Sequence, residues 1–83
     1  EVWVALELLS SRDIKSGLGQ SVKGLELFVG EGLLFWIDKI PDANFGHSCE
    51  YILIGPKQIV RTEHEWYPET PALDRMIKMY PNR

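Results

Sequence analysis

Cysteine occurs once, at Cys49, so no disulfide can close within the chain, and a reducing compartment such as the cytoplasm is the expected location. Long apolar runs are missing: none approaches the ~20 residues a membrane-spanning helix needs, and no membrane partner is expected. Cationic charge is not in excess. The formal net charge is −3, with Arg12, Lys15, Lys23 and Lys57 scattered through the chain. Nucleic-acid binders concentrate cations on one face to neutralise phosphates, so nucleic acid is not an expected partner. The chain opens at Glu1 without an initiator methionine, a basic-plus-apolar leader or a cleavage pattern, which predicts a processed, trimmed or engineered start. Repeats, low-complexity tracts and linkers are absent too. With 83 residues there is no material for a second core, so a single domain over 1–83 is expected.

What is present is ordinary globular material, 45% hydrophobic and 25% charged. Residues 1–9 alternate, with Val2, Val4, Leu6 and Leu8 on one face, and read as a strand. Residues 10–21 read as a long loop, ending in Ser-Gly-Leu-Gly-Gln-Ser. No Lys-Ser/Thr follows its Gly17-Leu18-Gly19, so it is not a phosphate loop.

Two hairpins are predicted next. In the first, residues 25–29 and 33–37 flank Gly30-Glu31-Gly32, with Gly32 at the left-handed position of a three-residue closure. That register puts Leu25, Leu27, Val29, Leu33, Phe35 and Ile37 on one face, expected to be the core. The opposite face then carries Phe28, Leu34 and Trp36. The second hairpin, 49–54 with 59–67, turns at Gly55-Pro56-Lys57-Gln58 and sets Cys49 opposite His64, Tyr51 opposite Thr62 and Leu53 opposite Val60. Glu50 then meets Glu63, an unfavourable like-charge pair that a bulge would relieve. Thr70-Pro71 reads as a helix start, and Leu73, Met76, Ile77 and Tyr80 form a stripe at helical spacing, so a docked C-terminal helix is expected. The sum is a mainly β domain: a small, bent antiparallel sheet of five strands, or an SH3-like barrel by analogy of architecture, closed by one α-helix.

Three groups of residues bear on function. His47, Cys49 and His64 fall near one another in this register and would suit a zinc ion or a nucleophile and base. Only three ligands are visible, however, and Cys49 and His64 lie among apolar strand residues, so a core role is the stronger reading and neither metal nor cofactor is expected. Glu63 and Glu65 flank His64 in a strand and point away from it, which argues against an acid/base set. Phe28, Leu34 and Trp36 present apolar surface beyond what one core needs, and are the expected interface of a homo-oligomer. Self-association of a non-catalytic binding protein is therefore the leading expectation. The alternative is a small-ligand pocket between sheet and helix, lined by Trp36, Tyr51, His64 and Trp66; a small enzyme built on Cys49 and His64 ranks third, and a protein or a small molecule is the expected further partner.

Overall fold

The computed structural model describes residues 1–39, 48–65 and 76–80. Alternating β-branched and aromatic residues build the main antiparallel sheet from β1 (Val2–Ala5), β2 (Leu9–Ser10), β5 (Glu31–Ile37), β6 (Cys49–Ile54), β7 (Ile59–His64) and β8 (Met76–Tyr80). The strand order is β7-β6-β5-β1-β8, with β2 also paired to β5. β1 and β2 are one bent line along the same neighbour: Val4 lies opposite Phe35 and Leu9 opposite Gly32, so the register slips across the exposed bend at Leu6–Leu8. The sheet is open rather than a closed barrel.

The second hairpin has the register its sequence predicts, from Cys49 opposite His64 to Ile54 opposite Ile59. Its turn closes with Gly55 N–H donating to the Gln58 carbonyl at 2.8 Å. No bulge relieves the Glu50–Glu63 pair. Cations do so instead: Arg61 reaches Glu50 at 2.8 Å and Lys39 approaches Glu63 at 4.0 Å.

The first hairpin does not form. Leu25–Leu27 is a turn of 3-10 helix, and β5 takes β1 and β2 along one edge and β6 along the other. The expected left-handed position is also displaced: Gly30 has φ of +83°, whereas Gly32 lies inside β5. The physical reason is coverage. Residues 14–28 pass beneath the sheet, and Ile14, Val22, Leu25 and Phe28 pack up against it. That segment overlaps the region read as a loop, 10–21, which contains 3-10 turns at Ser11–Asp13 and Gly17–Gly19 and a two-residue ladder between β3 (Lys15–Ser16) and β4 (Gln20–Ser21).

This layer reverses the expected faces. Leu34, Trp36, Cys49, Tyr51 and Leu53 are buried under it, together with Ala5 and Met76. Phe28 is seated so closely that a Cβ added to Gly32 or Gly55 would stand 2.6 or 2.7 Å from its ring. The C-terminal helix is likewise not seen over Met76–Tyr80, which pairs with β1 as an edge strand of the described sheet. Met76 and Lys78 alternate with Ile77 and Met79, and a helix of ten residues has little stability of its own, so an open sheet edge wins the segment. Leu73 and the expected helix start at Thr70-Pro71 lie outside the described residues.

Candidate functional site

Each residue expected at a site has a definite place, apart from His47 and Trp66, which lie outside the described residues. Phe28, Leu34 and Trp36, expected at a partner surface, are 4%, 0% and 5% exposed. They are core residues, because the 14–28 layer covers their side of the sheet. Trp36 and Tyr51, expected to line a pocket, are cross-strand neighbours in the same core, with the Trp3 ring tilted by 40° against that of Trp36 at 6.4 Å.

A polar cluster lies on this covered side. His64 is half-buried, meets the Tyr51 ring edge-on at 6.0 Å, and holds Nε2 2.8 Å from the Ser16 hydroxyl. Ser16 is fully buried and its Oγ lies 3.3 Å from the Gln20 carbonyl. A proton on His64 Nε2 donated to Ser16, with Ser16 donating to Gln20, satisfies the chain of three. In that arrangement the imidazole donates to the serine instead of taking its proton, so the pair pins the β3–β4 ladder to β7. Cys49 is buried, and its thiol pKa is pushed up first by burial and then by the nearby Asp38 carboxylate, while the Trp36 indole N–H pulls it down. Burial, with a smaller contribution from Cys49, also raises the Tyr51 phenol. Cys49 therefore stays a thiol at neutral pH, whereas nucleophilic attack and zinc ligation both use the thiolate. Among the described residues no group of three His, Cys, Asp or Glu side chains could hold a metal.

An open cleft of about 470 Å³ lies elsewhere, between Ser10–Asp13 and Gly30–Glu31, with Phe28 at its wall. Its guanidinium, Arg12, shares the space with the carboxylates of Asp13 and Glu31, and the Ser10 hydroxyl donates to Asp13 at 2.7 Å. Such mixed polarity selects no ligand class.

The outer side of the sheet is different. Pairing in register aligns Leu33 with Ile54, Phe35 with Ile52, and Val4 with both Phe35 and Ile77. Val2 and Ile37 pair beside them. Every one of these side chains is partly or largely exposed, Ile77 at 52% and Ile59, across from Ile54, at 65%. Charge on this face lies in two places: at one corner Glu50, Arg61 and Glu63 project from β6 and β7 and are held by the ion pairs already described, and Glu31 stands at the start of β5. An antiparallel sheet with one solvated face ordinarily alternates apolar with polar residues. Here both alternating sets are apolar over β1, β5 and most of β6. The two apolar faces were legible in the sequence, but which one is covered depends on residues 14–28, where Ile14 lies in a stretch that reads as a loop and Leu25 and Phe28 in one that reads as a strand.

No family model, no curated protein and no solved structure matches this chain.

Proposed function

We propose that the chain is a non-catalytic interaction module whose working surface is the outer face of its sheet. The observation that carries this reading is the unbroken apolar field around Phe35, Val4 and Ile52 on a face that no described element covers. Burying such a field releases water at roughly 25 cal/mol per Å², which gives a driving force for association without any charged anchor. The covered polar cluster supports the non-catalytic part, because its serine is sealed in the core and its cysteine is held as a thiol.

Fluorescence of an apolar dye at sub-micromolar protein tests the surface. Ile52→Thr and Val4→Thr keep strand-forming residues while breaking the field. Each is expected to lower dye binding several-fold, whereas Leu27→Thr, at a position 73% exposed but off the sheet, leaves it unchanged. Equal dye binding by all these variants would place the accessible apolar surface elsewhere and defeat the proposal.

A further inference from the structure

We infer that the occupant of the outer face is a second copy of this chain, packed sheet to sheet about a two-fold axis near Phe35 and Val4. This rests on the reading of that face as the working surface. Three observations select a like partner. First, the centre of the apolar field carries no charge: Glu50, tied to Arg61 at 2.8 Å, lies at one corner, and Glu31 lies at the far end of β5. A lipid surface or an acidic partner would call for free cations around the field, and both Arg61 and Lys39 are engaged with carboxylates. Second, the sheet already has one layer packed beneath it, and a face of this kind is completed by another sheet about 10 Å away, as in a β-sandwich. Third, the size suits a pair. The 22 residues of β6, β5, β1 and β8, at ~3.3 Å each and ~4.8 Å between strands, cover roughly 350 Å² in projection. Two such faces, with side-chain relief and the adjoining Leu6 and Leu8, approach the roughly 1,000 Å² at which contacts become specific. That places the association at the weak, reversible end of protein interfaces. With the axis near Phe35 and Val4, Arg61 and Glu63 fall at the rim, where they stay hydrated.

A charge pair at one position provides the test. Phe35→Asp and Phe35→Lys each set like charges across a two-fold contact, while a mixture of the two sets opposite charges there. In sedimentation equilibrium the unmodified chain is expected to form dimers that dissociate on dilution through the micromolar range. Each variant alone is expected to be monomeric, with the circular dichroism of the parent, and the one-to-one mixture to regain dimer. Should a charge at Phe35 unfold the chain, Ile77→Asp and Ile77→Lys on the half-exposed edge strand give the same comparison. A parent chain that stays monomeric at high micromolar concentration overturns the like-partner inference. If that monomer still binds the apolar dye through Ile52 and Val4, the interaction surface stands and belongs to a different partner. If it does not, both proposals fall. Dimers that survive in each charge variant alone would place the contact on another surface.

Discussion

Phe28 sits in a socket that only two glycines leave open. Its ring lies where Cβ atoms on Gly32 and Gly55 would stand at 2.6 and 2.7 Å, so each glycine is required for space rather than for backbone conformation. Gly55→Ala is expected to cost about 1–3 kcal/mol in chemical denaturation through overpacking. Adding Phe28→Leu to Gly55→Ala is expected to recover part of that loss, and strictly additive costs in the double variant would show that the socket is not the cause. A second residue-scale prediction concerns pH. Burial and the Asp38 carboxylate raise the Cys49 pKa above its ordinary 9.0, so the folded state holds the thiol proton more tightly than the unfolded chain does. The resulting stability is fully present below pH 9.0 and is lost as pH rises above it. Tyr51 acts in the same direction from its ordinary value of 10.0 upward. Thermal midpoints measured from neutral to alkaline pH are expected to fall less steeply in Cys49→Ala than in the parent once differences at neutral pH are subtracted. Parallel curves would contradict the assignment.

At the scale of elements, Met76–Tyr80 separates the two secondary-structure readings most sharply. A docked helix would bury Met76 and Ile77 on one stripe; as a strand, the segment buries Met76 at 7% exposure and leaves Ile77 at 52%. Met76→Ala is therefore expected to cost about 2–4 kcal/mol. Ile77→Ala, measured where the chain is monomeric, is expected to cost less than about 1 kcal/mol. Equal costs would favour the helix. The sequence allowed both because a five-residue segment, Met76-Ile77-Lys78-Met79-Tyr80, has too few turns to distinguish periods of 2 and 3.6. The second hairpin was legible down to its register, since local turn geometry and alternation agree there. The failure at residues 25–29 has a different origin. Local alternation permitted a strand, but β5 had its second edge filled by β1, some thirty positions away, and Leu25 and Phe28 gained more by covering the sheet. Lys78 shows the same long-range logic: its ammonium turns to Glu1 at 3.5 Å and lies 6.0 Å from the Trp3 ring, so the edge strand is joined to β1 by side chains as well as by its ladder.

On the scale of the whole molecule, the sheet has one face sealed by the 14–28 segment and one apolar face that no described element covers. The sequence announced that two apolar faces exist and assigned the partner surface to Phe28, Leu34 and Trp36, which are core. The assignment could not be made locally, because two of the covering residues, Ile14 and Val22, are isolated in serine- and glycine-containing sequence and the other two, Leu25 and Phe28, lie in a run whose alternation also suits a strand. Cys49 and His64 were visible in the sequence as a chemical pair, while the contact of His64 with Ser16 and the burial of Ser16 were not. A methyl-labelled NMR titration, from low to high micromolar protein, addresses the outer face as a whole. Concentration-dependent shifts are expected in the methyls of Val4, Leu33, Ile52 and Ile77, with those of Leu34 and Leu53 on the sealed face unchanged. Shifts absent from all of these methyls, or confined to residues around the Arg12 cleft, would contradict the account.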